Sequence, residues 1–189
     1  DRYRLAVREL TFSPARPNTE AVALIRARTL LDAAKTLAST KNVNIALAPS
    51  TSPERLAGFQ TDSKSTTTRL LDGTFPPYRH LLPQESLTTT VIEVAPFLDA
   101  VRRVALVTDK TIPLKLTFAG NTVTLEAGGG EEAQANEVFE IHKTGEDLSI
   151  AFNPNYLLDG LHAISAPYAQ ISFNTPGKAA ILMGKSDAN

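Results

Sequence analysis

Apolar residues recur at helical spacing in three segments of the chain. Residues 27–39 (ARTLLDAAKTLAS) place Leu30, Leu31, Ala34 and Leu37 on one face. Residues 95–107 (APFLDAVRRVALV) do the same with Phe97, Leu98, Val101 and Val104, and residues 153–164 (NPNYLLDGLHAI) with Tyr156, Leu157, Leu161 and Ile164. Asn153 followed by Pro154 predicts an N-cap with proline at the first helical position, and Pro96 enters its helix in the same way. The remaining segments alternate or are β-branched, predicting strands at 43–48, 57–62, 64–71, 87–94, 113–119, 121–127, 136–142, 147–152, 168–174 and 179–183. Threonine is concentrated in these runs, as in Thr66–Thr68 and Thr88–Thr90, which fits exposed strand faces. Turn signals separate them at Gly120-Asn121, Gly128–Gly130, Gly145-Glu146-Asp147 and Pro176-Gly177, with a polar loop at Pro49–Pro53.

The pattern repeats. The three helices carry Leu30-Leu31-Asp32-Ala33, Phe97-Leu98-Asp99-Ala100 and Leu157-Leu158-Asp159-Gly160, with the Asp residues 67 and 60 positions apart. A basic or titratable residue follows each Asp by three positions (Lys35, Arg102, His162), a spacing that puts both groups on one exposed helix face. Each unit is therefore one helix followed by about three strands, with a further strand leading into the next helix. Two such units to a domain would make residues 1–82 the second half of one domain and 87–189 nearly all of the next. Pro83–Ser86 is the preferred linker, giving a division into 1–84 and 85–189.

Composition narrows the class. The 189 residues include no Cys, which excludes a disulfide scaffold, a Cys-ligated zinc site and a cysteine nucleophile, and suits a reducing cytoplasm. A hydrophobic fraction of 42% can supply a core. No apolar run approaches the ~18 residues of a membrane span, and no charged-then-apolar signal opens the sequence. Asp1 falls inside what reads as a structured segment, which predicts that the sequence is cut from a longer chain. The net charge of −1 conceals an asymmetry: residues 1–126 hold 16 Lys/Arg against 12 Asp/Glu, whereas 127–189 hold 3 against 8. One half could meet a polyanion and the other a basic partner, although surface variation gives the same counts.

Catalytic spacing is not visible. There is no G-x-S-x-G, and His80, His142 and His162 are scattered without ligand spacing. Gly128–Gly130 runs into Glu131 and Glu132, which would repel a phosphate, so this run reads as a hairpin tip. Basic residues on helices are more informative: Arg26, Arg28 and Lys35 on the first, Arg102 and Arg103 on the second. They read either as a solvated face with Asp partners or, if the repeat stacks its helices, as a stripe attracting phosphates without reading bases. The apolar, proline-rich connector Phe75–Pro83 reads equally as a rigid groove wall or a buried linker.

Three stretches carry a family resemblance: Asp1-Arg2-Tyr3-Arg4-Leu5-Ala6-Val7, then Thr68–Gly73 running into Phe75–Pro83, and Phe152-Asn153-Pro154-Asn155-Tyr156-Leu157-Leu158-Asp159. Together they resemble the bacterial DNA polymerase III beta subunit, the sliding clamp, in wording closest to actinobacterial members. The resemblance spans essentially the whole chain. It implies an α+β DNA-clamp fold of repeated units, each one helix on antiparallel sheet, with domains in a crescent and two protomers closing head to tail around duplex DNA. The chain would correspond to the second half of the middle domain plus the C-terminal domain. Its implied role is a non-catalytic processivity factor in a nucleotidyltransferase holoenzyme, needing no cofactor or metal. Its implied partners are duplex DNA, the polymerase III alpha subunit, the clamp loader and other polymerases and repair proteins that dock through short linear motifs.

The resemblance also implies residue roles. The peptide-docking pocket would use Tyr3, Arg4 and Leu5, then Pro76, His80 and Leu81 of the connector, Asn153 and Tyr156 of the third helix, and Gly177 and Ala179 near the last hairpin. A pocket-directed peptide inhibitor would compete there. His80 stands where Arg is common and Tyr3 where His is frequent, and the family's last strand has no counterpart before Asn189. The DNA-facing set would be Arg26, Arg28, Lys35, Arg102 and Arg103. The homodimer edge would be Leu106, Glu131, Glu132, Glu137 and Glu140, and a chain without the family's first domain could not close the normal ring. Two other readings compete: a specialised second clamp copy with an inhibitor-resistant pocket, suggested by His80 and Arg26, and a hydrolase or transferase whose polar site the motifs do not reveal.

Overall fold

The computed structural model describes residues 3–17, 20–49, 51–83, 85–108, 112–128, 133–175 and 178–188. The chain divides into two compact units: Ala6–Pro77, and Tyr78–Asn189 together with Asp1–Leu5.

In the smaller unit, helix α1 (Ala27–Leu37) is followed by a three-stranded antiparallel meander of β1 (Asn44–Leu47), β2 (Leu56–Gln60) and β3 (Ser65–Arg69). The β2–β3 turn closes through Thr61 N–H on the Lys64 carbonyl at 2.8 Å, and Lys64 Nζ reaches the Thr36 carbonyl at 3.0 Å. A cation there meets the negative end of the helix dipole. The core is small: Ala33, Leu37, Ala57 and Phe59 are buried, flanked by Ile25, Leu47 and Leu70. The face predicted for this helix is only partly right, because Leu30, Leu31 and Ala34 are exposed and Ala33 takes their place. The physical reason is what the helix packs on. A single three-stranded sheet covers a narrow stripe, so three of the four predicted positions find no cover within the unit.

The larger unit opens with a 3-10 turn at Arg79–Leu81 and then runs through strand, helix, strand, strand twice, the first pass carrying two further strands. First come β4 (Thr88–Glu93), α2 (Val94–Ala105), β5 (Leu114–Ala119), β6 (Thr122–Ala127), β7 (Ala135–Glu140) and β8 (His142–Gly145). Then follow β9 (Leu148–Phe152), α3 (Pro154–His162), β10 (Tyr168–Phe173) and β11 (Ile181–Lys185). Two four-stranded antiparallel sheets result, ordered β7-β6-β5-β9 and β11-β10-β4-β8. The leading strands are exchanged: β9 pairs with β5 and β4 with β10, so neither half owns a complete sheet.

Helix signals read from the sequence hold locally. Asn153 caps α3, its side chain accepting from the Asn155 N–H at 3.0 Å, with Pro154 in the first turn. Pro96 stands third in α2 instead of first, still within the first turn, where a missing N–H costs no helical bond. Phe97, Val101 and Val104 of α2 and Leu157 and Leu161 of α3 bury against Leu114, Leu116 and Phe118 of β5 and Ile171 of β10. Each such side chain contributes about 1.5–3 kcal/mol of burial. Phe118 and Phe173 join the two sheets with ring centroids 5.0 Å apart.

The strand predicted over 136–142 is two strands. Ile141 is buried and its N–H bonds the Asn121 carbonyl at 2.9 Å, and there the chain leaves β6 and crosses to pair with β4. The last predicted strand, 179–183, lies two residues later at Ile181–Lys185. Gly145 turns β8 into β9 with φ +94, and a Cβ there would stand 2.0 Å from the Leu87 carbonyl oxygen. The proposed hairpin-tip residues Gly129, Gly130, Glu131 and Glu132, and the turn at Pro176-Gly177, lie outside the described residues. No helix of the described residues is long and apolar enough to cross a membrane.

Candidate functional site

The capped start of α3 orients the most concentrated group of candidate residues. Capping fixes the first helical turn, and Tyr156 projects from it half-buried. Tyr3 stacks on it with ring centroids 5.9 Å apart and planes 29° apart, while keeping 79% of its surface exposed. The Arg4 guanidinium lies 4.4 Å from the Tyr156 ring centroid, within cation–π range. Arg4 Nη1 also donates to Asp159 Oδ2, one helical turn beyond Tyr156. Helical spacing pairs Asp159 with His162 and gives no sign of Arg4 as its partner. No local pattern links positions 155 residues apart.

The other docking candidates make no side-chain contact with this group among the interactions described. Leu5 keeps 43% of its surface. His80 and Leu81 lie on the 3-10 turn, where Leu81 is 60% exposed. Asn153 uses its side-chain oxygen on the helix cap, which restricts its expected part in orienting a peptide to its remaining polar atoms. Ala179 is exposed just before β11, Gly177 lies outside the described residues, and Pro76 belongs to the smaller unit. The connector is not uniformly buried: Phe75, Leu81 and Leu82 are all exposed.

Most basic helix residues carry acidic partners. Arg28 pairs with Asp32 at 3.3 Å, and Arg102 with Asp99 at 3.0 Å. Only the second of these is the Asp-to-basic i,i+3 pair that the repeat predicts. Asp32 uses Arg28 on its preceding turn instead of Lys35, and His162 meets Arg102 Nη2 through Nε2 at 2.7 Å. Arg103 reaches out of α2 to Glu137 of β7, with Nε on Oε1 at 2.8 Å and Nη2 on Oε2 at 2.7 Å. These hydrogen bonds hold the Glu137 carboxyl below its ordinary range and Arg103 above its own, against a smaller opposing effect of desolvation. Two residues expected to serve different partners, DNA and a second protomer, thus engage each other. Arg26, at the N-cap of α1, and Lys35, in its last turn, are exposed.

The candidate dimer edge is β7, the outer strand of its sheet among the described residues, with Val138 and Glu140 exposed beside Glu137. Leu106, at the end of α2, is 84% exposed. Among the described residues, one ion pair holds a buried charge: the Lys143 side chain, 6% exposed, bonds Asp147 at 2.8 Å and the Gly145 carbonyl at 2.9 Å. Asp147 also accepts from the Gly120 N–H, and both bonds, Lys143's first, hold its carboxyl below the ordinary range. This pair fastens two turns together. Among the described residues, no three His, Asp or Glu side chains converge to hold a metal ion.

Comparison with known proteins gives a consistent answer. The family model for the DNA polymerase III beta subunit central domain matches residues 1–77, and that for the C-terminal domain matches 79–189. The beta sliding clamp of Streptomyces coelicolor is 49% identical over 185 residues, covering 98% of this chain and 49% of that protein. The beta sliding clamp homolog GriR of Streptomyces muensis is 38% identical over 189 residues, covering 100% of this chain and 50% of that protein. Among solved structures, the beta subunit of Streptococcus pyogenes DNA polymerase superposes with a TM-score of 0.79 at 26% identity, covering 91% of this chain and 47% of that one. A Caulobacter crescentus beta sliding clamp gives 0.78 at 27% identity, covering 87% and 44%. The chain spans about half the length of the curated relatives it matches. With its repeated helix-and-sheet order, its exchanged strands and both family models in sequence, the chain belongs to the DNA polymerase III beta subunit family, the beta sliding clamps.

Proposed function

We propose that this chain is part of a DNA sliding clamp, a processivity factor that encircles duplex DNA and tethers polymerases. The family membership supports the role, and the Tyr3–Tyr156–Arg4 group carries the residue-level reading. Two stacked rings, together with exposed Leu5 and Leu81, are proposed to offer aromatic and aliphatic surface to a short peptide, with Arg4 as a polar anchor. His80, Asn153, Ala179, Pro76 and Gly177 complete the proposed docking set. The polymerase III alpha subunit, the clamp loader and other polymerases and repair proteins are the proposed users. Tethering raises the effective concentration of a polymerase at the primer end without chemistry by the clamp, so the chain is a non-catalytic accessory subunit.

Charge on the helices suits sliding. Arg28, Arg102 and Arg103 have carboxylate partners in place, which moderates their pull on phosphates. Arg26 and Lys35 add unspecific attraction. Weak contacts of this kind exchange quickly and fall steeply with salt. For ring closure in the homodimer, Leu106, Glu137 and Glu140 are the proposed contact residues, together with Glu131 and Glu132.

The likeness to GriR keeps the specialised-copy reading in view. The higher identity to the Streptomyces coelicolor clamp, 49% against 38%, supports the general clamp role over it. Titration with a peptide of Gln-Leu-x-Leu-Phe type tests the reading. Saturable binding that Tyr156→Ala weakens supports docking at α3. Binding that Tyr156→Ala leaves unchanged rejects it.

A further inference from the structure

Arg4 makes two directed contacts with one face of α3. Its guanidinium lies over the Tyr156 ring, and its Nη1 donates to Asp159, three residues along the same helix. That spacing places ring and carboxylate on adjacent turns of one face, so one guanidinium can engage both. Tyr3, the preceding residue, is stacked on the same ring. Two rings, a guanidinium and a carboxylate thus meet at one place on α3.

We propose that Asp159 is a positioning residue for peptide docking: it holds Arg4 over Tyr156 and so sets the Tyr3–Tyr156 surface before a peptide arrives. The inference rests on the docking reading above. Three observations favour positioning over a purely stabilising role. Both side chains are well exposed, at 43% and 61%, and exposed ion pairs add little to folding. Asp159 also sits at the exposed position of the repeated Leu-Leu-Asp pattern, where Asp32 and Asp99 pair with arginines on their own helices. It alone of the three reaches an arginine from another segment. His162, its expected partner, is occupied with Arg102. An Arg4 that loses Asp159 gains rotamer freedom, and ordering it again on binding costs affinity.

The test is a double-mutant cycle on the full chain with a labelled Gln-Leu-x-Leu-Phe peptide, comparing wild type, Arg4→Gln, Asp159→Asn and the double variant. Asp159→Asn is expected to weaken binding by about three- to tenfold with an unchanged melting temperature. The double variant is expected to bind no more weakly than Arg4→Gln, because Asp159 acts through Arg4. Asp159→Glu is expected to restore part of the loss. The Arg4 side-chain protons, shifted upfield by the Tyr156 ring in the wild type, are expected to return toward random-coil values in Asp159→Asn. Wild-type affinity in Asp159→Asn, additive losses in the double variant, or an unchanged Arg4 ring-current shift each overturns the proposal while leaving docking intact. No binding by the wild type overturns the docking reading, and the positioning role with it.

Discussion

Arg103 of α2 and Glu137 of β7 are joined by two parallel hydrogen bonds, of 2.8 and 2.7 Å. The fork geometry fixes both side chains and ties the last turn of a helix to the outer strand of a sheet. It also removes one cation from the helix face and one anion from the strand.

This pair predicts a pH dependence. The Glu137 carboxyl titrates below its ordinary value in the folded chain because Arg103 donates to it. Its stabilisation is present above the unfolded carboxylate value and is lost as pH falls through the lower, folded one. Glu137→Gln is therefore expected to melt below the wild type at neutral pH. The two melting curves are expected to converge in acid, below the ordinary carboxylate range. Thermal unfolding monitored by circular dichroism against pH checks this.

The β8–β9 turn gives a sharper stability prediction. Gly145 combines φ +94 with a Leu87 carbonyl oxygen 2.0 Å from where a Cβ would stand. That oxygen is backbone and cannot rotate away. Gly145→Ala is expected to destabilise the larger unit by about 2 kcal/mol or more in urea unfolding. Gly73→Ala, where nothing lies within 4 Å despite φ +113, is expected to cost less.

DNA contact is testable at Arg102. It lies between Asp99 and His162 at the exposed junction of α2 and α3. Arg102→Gln is expected to lower unspecific duplex affinity and reduce the slope of log K against log salt by about one. Fluorescence anisotropy across a salt series checks it, and an unchanged slope removes Arg102 from the DNA-facing set.

How much of this was legible depended on range along the chain. Helix positions, the Asn153-Pro154 cap and the repeated Leu-Leu-Asp register follow from residues within a few positions of each other, and the structure keeps them. The break at Ile141 was illegible, because a strand that changes sheets keeps the same alternation and needs no turn residue. The buried face of α1 depended on how much sheet lies against it, which Leu30 and Leu31 do not encode. At the docking group, the family resemblance supplied Tyr3, Arg4 and Tyr156. Asp159 escaped because its partner lies 155 residues away, while a plausible local partner, His162, stood three residues along. Local spacing assigns the right partner to Asp99, whereas packing gives Asp32 and Asp159 others.

The central claim is that the surface at the start of α3 docks short peptides. The most direct measurement is the affinity of a Gln-Leu-x-Leu-Phe peptide for the wild-type chain and for Tyr156→Ala, by calorimetry, with melting temperatures recorded for both. Saturable, single-site binding by the wild type is expected, with a loss of about tenfold or more in Tyr156→Ala at an unchanged melting temperature. Equal affinity for the two proteins, or no binding to the wild type, contradicts it.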